Sequence, residues 1–358
     1  PKQESSKPSY VNDPYPILKG EHIKRRIAHN NDTSYVYDYP HLFARGLKQV
    51  WKNYAEERRL YSKLIIPNNF FTATELVLDS NGELVPSPNS CIGENKVGMI
   101  AWRMTLKTPE FPEGRDIIVI ANDITFQSGS FGPLEDEVFQ KASELSRREK
   151  LPRIYIAANS GARIGLAQEV QSLFKVEWID ADEPSKGFKY LYVTEKDHEE
   201  LSRTKSVNTV LIEENGERRY KIVDIIGKDN GIGVENLRGS GMIAGETSRA
   251  YEQVFTLNYV AARSVGIGAY LNSLGQRVIQ RRKAPILLTG ASALNKVLSK
   301  EVYSSNLQLG GTQIMHPNGV THLVCSDDMK AIDKIIQWIS FVPKYAGGPL
   351  PILSSVTD

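Results

Sequence analysis

Apolar segments of strand length alternate with amphipathic segments of helix length from Asp116 onward, and this alternation limits the folds open to the chain. The strand-like segments read DIIVIAND and RIYIAAN, and they are followed by LEDEVFQKASELSRREK and SGARIGLAQEVQSLF. An apolar run followed by a helix favours parallel strands, because the helix crosses the sheet between neighbouring strands. We therefore predict an α/β fold with helices packed outside a parallel sheet.

Other segments add elements to this fold. We predict strands in FTATELVLD, KVGMIAWRMTLKTP and THLVC, a helix in HLFARGLKQVWKNYAEE, and a closing helix in AIDKIIQWISFV, whose isoleucines recur on one face. The patterns also predict strands at residues 35–39, 219–227 and 311–315, and helices around residues 248–262 and 268–274.

The first 33 residues differ in character from the rest. They are polar and spaced by prolines, and they include the basic cluster Lys24, Arg25 and Arg26. Such a composition predicts an extended or poorly ordered arm over residues 1–33, followed by a packed domain over residues 34–358. The sequence starts without Met, and we expect it to be part of a longer chain.

Composition excludes several classes of protein. Lys and Arg number 44 against 42 Asp and Glu, so the net charge of +2 gives no reason to expect nucleic acid as a partner. No apolar run reaches eighteen residues, which argues against a membrane span. Cys91 and Cys325 lie far apart, without the spacing of a zinc site. We expect a cytoplasmic protein with no metal in this chain.

Glycine clusters stand out between Gly227 and Gly275. Residues 238–245 read RGSGMIAG, in which small residues permit backbone amides to line a groove for a phosphorylated or flat ligand. No GK[ST] completes a Walker A loop, and the fit to GxGxxG breaks at Ala244. We therefore predict a glycine-rich turn that opens a helix and does not bind a dinucleotide.

A similar pattern follows the apolar segment 154–158, where residues 159–165 read NSGARIG. Asn159 or Ser160 can cap a helix, and Gly161 lets the backbone approach a ligand closely. An ordinary capped turn explains the same residues, and the pattern alone favours that interpretation.

A third constellation, RSVGIGAY, occupies residues 263–270. The guanidinium of Arg263 suits a carboxylate, and the N–H of Gly266 could hold an oxygen that gains negative charge during a reaction. A helix that ends in Arg and stops at Gly is the alternative, and the residues alone leave the two readings open.

Longer stretches carry a resemblance to a known family. The segments TPEFPEGRDIIVIANDITFQSGSFGP, PRIYIAANSGARIGLAQEV, NLRGSGMIAGETSRAY, RSVGIGAYL and EVYSSNLQLGGTQIM resemble the carboxyltransferase part of eukaryotic multidomain acetyl-CoA carboxylases. The resemblance runs from about Ser34 to Ile352. It departs from the family at Asn272 and Ser273, where the family has an apolar residue and an Arg.

The resemblance implies a crotonase/ClpP-like ββα superhelix and identifies the chain as similar to the N-terminal carboxyltransferase subdomain. It implies transfer of a carboxyl group from carboxybiotin to acetyl-CoA to give malonyl-CoA. Arg263 then binds the carboxylate and Gly266 holds the oxyanion. The remaining implied residues line the acyl pocket or hold CoA and its thioester, and they are Ala162, Leu237, Tyr270, Ser160, Gly161, Gly239 and Gly241.

The resemblance also implies partners. Biotin is carried on a separate carrier domain, a C-terminal carboxyltransferase subdomain supplies a second Arg and a second oxyanion glycine, and the full enzyme is a homodimer. In the family the biotin nitrogen is thought to act as the base, so no protein base is expected here. A noncatalytic CoA-binding or dimerisation module of the same fold is the alternative function.

Overall fold

The computed structural model describes residues 20–57, 67, 69–87, 95–164, 167–214, 216–225 and 236–351. Cys91, the first residues of the predicted N-terminal arm and residues 227–235 of the glycine-rich stretch lie outside these ranges. Within them, no helix is long and apolar enough to cross a membrane.

The strands form one large sheet and two small ones. In chain order they are β1 (Phe71–Leu78), β2 (Leu84–Pro86), β3 (Met99–Thr108), β4 (Phe111–Asn122), β5 (Arg153–Ala157), β6 (Lys175–Trp178), β7 (Phe188–Val193), β8 (Val207–Glu214), β9 (Glu217–Ile225), β10 (Thr256–Val260), β11 (Ser264–Val265), β12 (Arg277–Arg281), β13 (Ile286–Leu287) and β14 (Leu323–Cys325).

The helices of the described residues are of very different lengths. In chain order they are α1 (Gly20–Asn30), α2 (Tyr39–Glu57), α3 (Pro133–Glu149), α4 (Gln168–Gln171), α5 (Glu195–Thr204), α6 (Asn236–Gln253), α7 (Ile267–Ser273), α8 (Ala291–Leu298), α9 (Leu307–Gly310), α10 (Thr312–Met315) and α11 (Asp328–Ile339). Short 3-10 turns occupy Val36–Asp38, Gln127–Gly129 and Pro184–Lys186.

The large sheet has eight strands in the order β14-β12-β10-β5-β4-β3-β1-β2. Neighbours from β4 through β5, β10 and β12 to β14 are parallel, whereas β1, β2, β3 and β4 pair antiparallel. Parallel pairing requires crossover connections, and α3 makes the crossover from β4 to β5. The parallel sheet predicted from the alternation of segments is confirmed.

Two apolar clusters cover the two faces of this sheet. One face packs on α2 and α11 through residues such as Phe43, Leu47 and Ile336. The other packs on α3 and α6, with Phe139 and Ile243 fully buried. Neighbouring residues along β3, β4 and β5 divide between the two clusters, because side chains of a strand alternate between faces.

Several predicted elements are wrong. The helix predicted at residues 248–262 ends at Gln253, and Thr256–Val260 is a fully buried strand in the centre of the sheet. Residues 311–315 contain helix α10 where a strand was predicted. Residues 36–38 of the strand predicted at 35–39 form a 3-10 turn, and they pair with no strand in the described part of the chain.

The described part of the N-terminal arm, from residue 20 onward, is not extended. Residues 20–30 form helix α1, whose Ala28 is fully buried in the core. Arg25 also forms an ion pair with Asp38 across the turn that follows α1. The segment from 20 to 30 is therefore helical and packed, although its polar composition predicted an extended chain.

A separate four-stranded antiparallel sheet has the order β6-β7-β9-β8. It contains residues 219–225 of the predicted strand 219–227, but that strand is not the buried parallel strand that its sequence indicated. Val223 is 51% exposed. Strand β9 is therefore partly exposed and is not part of the eight-stranded sheet.

Helices α3 and α6 pack closely where a glycine faces a buried carboxyl group. A Cβ on Gly239 would overlap Oδ2 of Asp136, so the glycine permits the close approach. Asp136 is 1% exposed, and neither of its carboxyl oxygens has a hydrogen-bond partner among the described residues. Burial, reinforced by the nearby charge of Glu135, raises the pKa of Asp136 to about 8.

We predict that Asp136→Asn changes the pH dependence of stability. The folded chain holds the proton of Asp136 up to about pH 8, whereas the unfolded chain releases it near the ordinary value of 3.8. The free energy of unfolding of the wild type therefore falls with rising pH between these values, and the neutral Asn escapes this loss. Relative to wild type, the variant should gain at most about 1.4 kcal/mol per pH unit in that window.

Urea unfolding at a series of pH values from 5 to 8 measures this difference. Glu137→Gln on the same helix controls for the loss of one negative charge. A stability difference between Asp136→Asn and wild type that stays constant across the series would contradict the raised pKa.

Candidate functional site

Two turns leave the sheet side by side. The first turn (residues 158–163) follows β5 and the second turn (residues 261–266) follows β10, and these two strands are parallel neighbours. Carboxyl ends of parallel strands meet at one edge of a sheet, which is where ligands bind in open α/β folds. The predicted residues Gly161 and Gly266 are therefore brought together.

The amide side chain of Asn159 joins the two turns. Its Oδ1 accepts hydrogen bonds from the N–H of Val265 (3.0 Å) and of Gly161 (3.3 Å), and its Nδ2 donates to Oγ of Ser264 (3.0 Å). The N–H of Asn159 donates to the carbonyl of Arg263 (2.8 Å). Asn159 is fully buried, so it connects the turns from beneath and does not cap a helix.

Glycine allows the turns to touch. Gly161 has φ +86° and Gly266 has φ +56°, a region that L side chains rarely adopt. A Cβ on Gly161 would lie 3.1 Å from the carbonyl oxygen of Val265. The first turn does not open the predicted helix, because α4 begins only at Gln168, so the ligand contacts of this turn would be made by an irregular backbone.

The predicted oxyanion donor is engaged within the protein. The N–H of Gly266 donates to the carbonyl of Leu287 (2.8 Å) in the pairing of β11 with β13. Gly266 instead turns the chain into α7, whose first amides, those of Ile267 and Gly268, donate no hydrogen bond to the residues that the structure describes. The amides without a partner among the described residues therefore lie one and two residues after the predicted one.

Arg263 carries a positive charge that no acidic group neutralises within the described ranges. Its Nη1 donates to Oδ1 of Asn31 (2.7 Å), a neutral partner in the turn after α1. None of the ion pairs among the described residues includes Arg263. Burial lowers the pKa of this half-buried guanidinium, which nevertheless remains protonated at neutral pH. An incoming carboxylate would supply the missing counter-charge.

The other predicted residues divide between the turns and two helices. Ser160 is exposed and Ala162 is partly buried in the first turn, while Tyr270 projects from α7 and is 55% exposed. Leu237 is half exposed near the start of α6.

The glycine-rich loop predicted at residues 238–245 is wrong as a loop, because these residues lie inside α6. Helical backbone beyond the first turn donates its N–H groups to its own carbonyls, so the amides of residues 240–245 cannot line a groove. Gly239 faces α3, and Gly241 is exposed on the helix surface. The structure therefore does not bring Gly239 into the contact between the two turns.

Tyr270 lines an apolar cavity of about 510 Å³. Its other lining residues come from α7, from β13 and from the segment after it, including Leu287, Leu288, Leu294 and Met315. Arg263 and Gly266 do not line it. We place the candidate site at the turns, where the charge and the amide donors are, and regard the cavity as an apolar extension beside it.

Two contacts at the site were not anticipated from the sequence. Asn31 contacts Arg263 across 232 positions, and Asn272 donates to Oγ of Ser264 (2.9 Å) from α7. Asn272, one of the two departures from the family pattern, is fully buried. A buried Asn in a segment expected to be apolar was the available signal for this second contact. Within the described ranges, no group of three or more His, Cys, Asp or Glu could hold a metal ion.

Comparison with known proteins assigns this arrangement to a family. The model of the carboxyl transferase domain matches residues 109–358, which include both turns. The chain belongs to the carboxyl transferase domain family. This membership confirms the resemblance inferred from the motifs around both turns.

Relatives of this carboxyl transferase domain are acetyl-CoA carboxylases. The chain is 52% identical to acetyl-CoA carboxylase from Saccharomyces cerevisiae over 96% of its length, and 50% identical to that of Dictyostelium discoideum over 97%. It spans only 15% of the S. cerevisiae protein and 16% of the D. discoideum protein. The carboxyl transferase domain thus corresponds to one part of much larger proteins.

Solved structures agree on the fold. The carboxyl transferase domain resembles the transcarboxylase 12S hexamer core, in a structure with methylmalonyl-coenzyme A and methylmalonic acid bound, with a TM-score of 0.55 at 14% identity over 94% of this chain and 47% of that one. A second structure of that core, with hydrolysed methylmalonyl-coenzyme A, gives a TM-score of 0.51 at 16% identity, covering 86% of this chain and 46% of that one. The predicted crotonase-like α/β fold is confirmed.

We predict that Asn159→Ala removes the acceptor of the Val265 and Gly161 amides but leaves the amide of Gly266 bonded. The N–H of Val265 loses its acceptor, whereas the N–H of Gly266 keeps its bond to Leu287. Loss of a buried hydrogen bond costs about 1 to 3 kcal/mol. Hydrogen exchange at Val265 should therefore accelerate by roughly tenfold or more.

Amide exchange resolved by residue measures both positions in one experiment. Gly266 serves as the internal control, because its partner is untouched by the substitution. Equal acceleration at Val265 and Gly266 would indicate general loosening and contradict a specific bridge by Asn159.

Proposed function

We propose that this chain forms one part of the site for the carboxyltransferase half-reaction of acetyl-CoA carboxylase, in which the carboxyl group of carboxybiotin passes to acetyl-CoA and forms malonyl-CoA, and that it needs a second subdomain for activity. Membership of the carboxyl transferase domain family and the extended similarity to acetyl-CoA carboxylases support this proposal. The observation that carries it is the un-neutralised guanidinium of Arg263 beside two glycine turns in contact.

Arg263 binds the carboxylate in this proposal. A guanidinium can pair with both oxygens of a carboxylate, and its fork geometry fixes the orientation of the group. Asn31 holds the guanidinium through one neutral hydrogen bond, which a charged ligand can replace or supplement. The bound carboxyl group would therefore lie beside the second turn, which contains Arg263.

The turns hold the thioester. The missing side chain of Gly161 lets the first turn lie against Val265 of the second turn, and we assign the CoA thioester to the backbone of Ser160, Gly161 and Ala162 beside this contact. Removing a proton from the acetyl group places negative charge on the thioester oxygen, and fixed N–H donors stabilise such charge. The amides of Ile267 and Gly268 are the donors we propose for this role.

The biotin cofactor fits the same residues. Carboxybiotin supplies the carboxyl group, and its carboxylate matches the free positive charge of Arg263. We propose that a biotin carrier domain brings it to the site, that a second carboxyltransferase subdomain completes the site, and that the full enzyme is a cytoplasmic homodimer. Tyr270 and Leu237 are half exposed, as expected of residues that line an acyl pocket shared with another subdomain. Gly239 and Gly241 are not retained as CoA contacts, because they lie within α6, where Gly239 faces α3.

We predict that Arg263→Met in the full-length protein lowers kcat/KM for carboxyl transfer by about 100- to 1000-fold, since loss of one charge-stabilising donor costs about 3 to 4 kcal/mol. Decarboxylation of malonyl-CoA in the presence of free biotin measures the rate. Arg277 is exposed at the first residue of β12, at the end of the sheet opposite the two turns. Arg277→Met is the matched control and should leave the rate unchanged.

Undiminished turnover by Arg263→Met would refute the role of this residue. A wild-type protein that binds acetyl-CoA in calorimetry but transfers no carboxyl group would favour a noncatalytic CoA-binding module.

A further inference from the structure

Glu135 is a buried carboxylate that bonds Gly98 before β3, Gly132 at the start of its own helix, and Arg163 of the first turn. Its Oε1 accepts from the N–H of Gly98 (2.8 Å), and its Oε2 accepts from the N–H of Gly132 (3.0 Å) and from Nη2 of Arg163 (3.2 Å). The residue is 2% exposed. A Glu at the third position of a helix often bonds back to the helix start, but such a cap needs only the contact with Gly132.

Arg163 transmits this contact to the first turn. It follows Ala162 directly, and its Nε donates to Oγ of Ser130 (3.1 Å). The backbone is bound as well, because the N–H of Arg163 donates to the carbonyl of Phe131 (2.7 Å) and the N–H of Phe131 donates to the carbonyl of Gly161 (2.9 Å). The position of the Gly161–Ala162 backbone therefore depends on the segment that Arg163 and Glu135 hold.

Residues 127–129, just before Ser130 and Phe131, have a backbone conformation that needs support. Gln127 has φ +46°, Ser128 has φ +57° and Gly129 has φ +69°. Non-glycine residues in this region are strained and persist only where the surroundings fix them. A Cβ on Gly129 would overlap the carbonyl of Ala158, so the strained segment lies directly against the first turn.

We propose that Glu135 is a positioning residue for the CoA thioester: through Arg163 it holds the backbone of residues 160–162 in the geometry that receives the ligand. This inference rests on the proposed function, because the ligand of the first turn is taken to be an acyl-CoA. Glu135 itself touches neither the second turn nor Arg263 and takes no part in the chemistry.

The chain offers a closely matched control. Arg147, on the same helix α3 as Glu135, forms an ion pair with Glu246. The side chains of Arg147 and Glu246 are 20% and 0% exposed, and those of Arg163 and Glu135 are 24% and 3% exposed. Glu246 lies in α6 and is bonded to Arg147 and Arg249. Breaking this pair disturbs a similarly buried carboxylate without touching the first turn.

The test compares Glu135→Gln with Glu246→Gln in the full-length protein, by calorimetric titration with acetyl-CoA, by kcat and KM for malonyl-CoA decarboxylation, and by thermal unfolding. We expect Glu135→Gln to weaken acetyl-CoA binding and lower kcat/KM at least tenfold. Glu246→Gln should stay within about twofold of wild type at an equal or larger loss of Tm. Equal effects of the two variants on binding and kcat/KM would reduce Glu135 to a structural role and overturn the proposal.

The route through Arg163 has its own test. The double variant Glu135→Gln/Arg163→Met should bind acetyl-CoA no more weakly than Arg163→Met alone, because the two residues act in series. Additive losses would overturn this route. Ser130→Ala, a milder change that leaves the ion pair intact, should weaken binding by less than Glu135→Gln but by more than Glu246→Gln, and it decides the matter should Glu135→Gln fold poorly. An effect of Ser130→Ala no larger than that of Glu246→Gln would contradict the proposal.

Failure of the proposed function gives a different result. A wild-type protein that binds acetyl-CoA without transferring a carboxyl group contradicts the carboxyltransferase assignment. The binding difference between Glu135→Gln and Glu246→Gln still supports the positioning role in that case. A wild-type protein that neither binds acetyl-CoA nor transfers the group overturns both.

Discussion

The candidate site depends on one buried amide, the side chain of Asn159, which bonds the turn after β5 to the turn after β10. Parallel strands bring the two turns to one edge of the sheet but do not fix their distance. An amide offers both an acceptor and donors, so one side chain can satisfy the N–H of Val265 and the hydroxyl of Ser264 together. Because it is neutral, it sets this geometry without competing for the charge of Arg263.

Charge is distributed unevenly around this edge. The guanidinium of Arg163 in the first turn is paired with the buried carboxylate of Glu135, and that of Arg147, at the far end of α3, is paired with the buried Glu246. Arg263 is half-buried too, yet its partner is the neutral side chain of Asn31. Removing a cation from water without a counter-charge is costly, and an anionic ligand relieves that cost. In the proposed function, this uneven pairing favours a carboxylate ligand at Arg263 and leaves the Glu135–Arg163 pair to hold the backbone of the first turn.

Much of the fold could be predicted from periodicity, and the site only in part. The helix at Asp328–Ile339 buries one apolar face, which its isoleucine spacing predicts. The strand at Arg153–Ala157 is buried on both faces, which its continuous apolar run predicts. Glycine misled the prediction at 238–245, because its use in helix packing looks the same in sequence as its use in a turn. The contact between Asn31 and Arg263 spans 232 positions and leaves no local pattern. Motifs thus identified the turns, whereas the bonds that arrange them required the fold.

A structure of the full-length protein with malonyl-CoA bound tests the central claim most directly. The account predicts that the malonyl carboxylate lies within hydrogen-bonding distance of the Arg263 guanidinium, with the thioester against residues 160–162 and the bridge from Asn159 to Val265 intact. Malonyl-CoA bound elsewhere, with Arg263 still bonded only to Asn31, would contradict it.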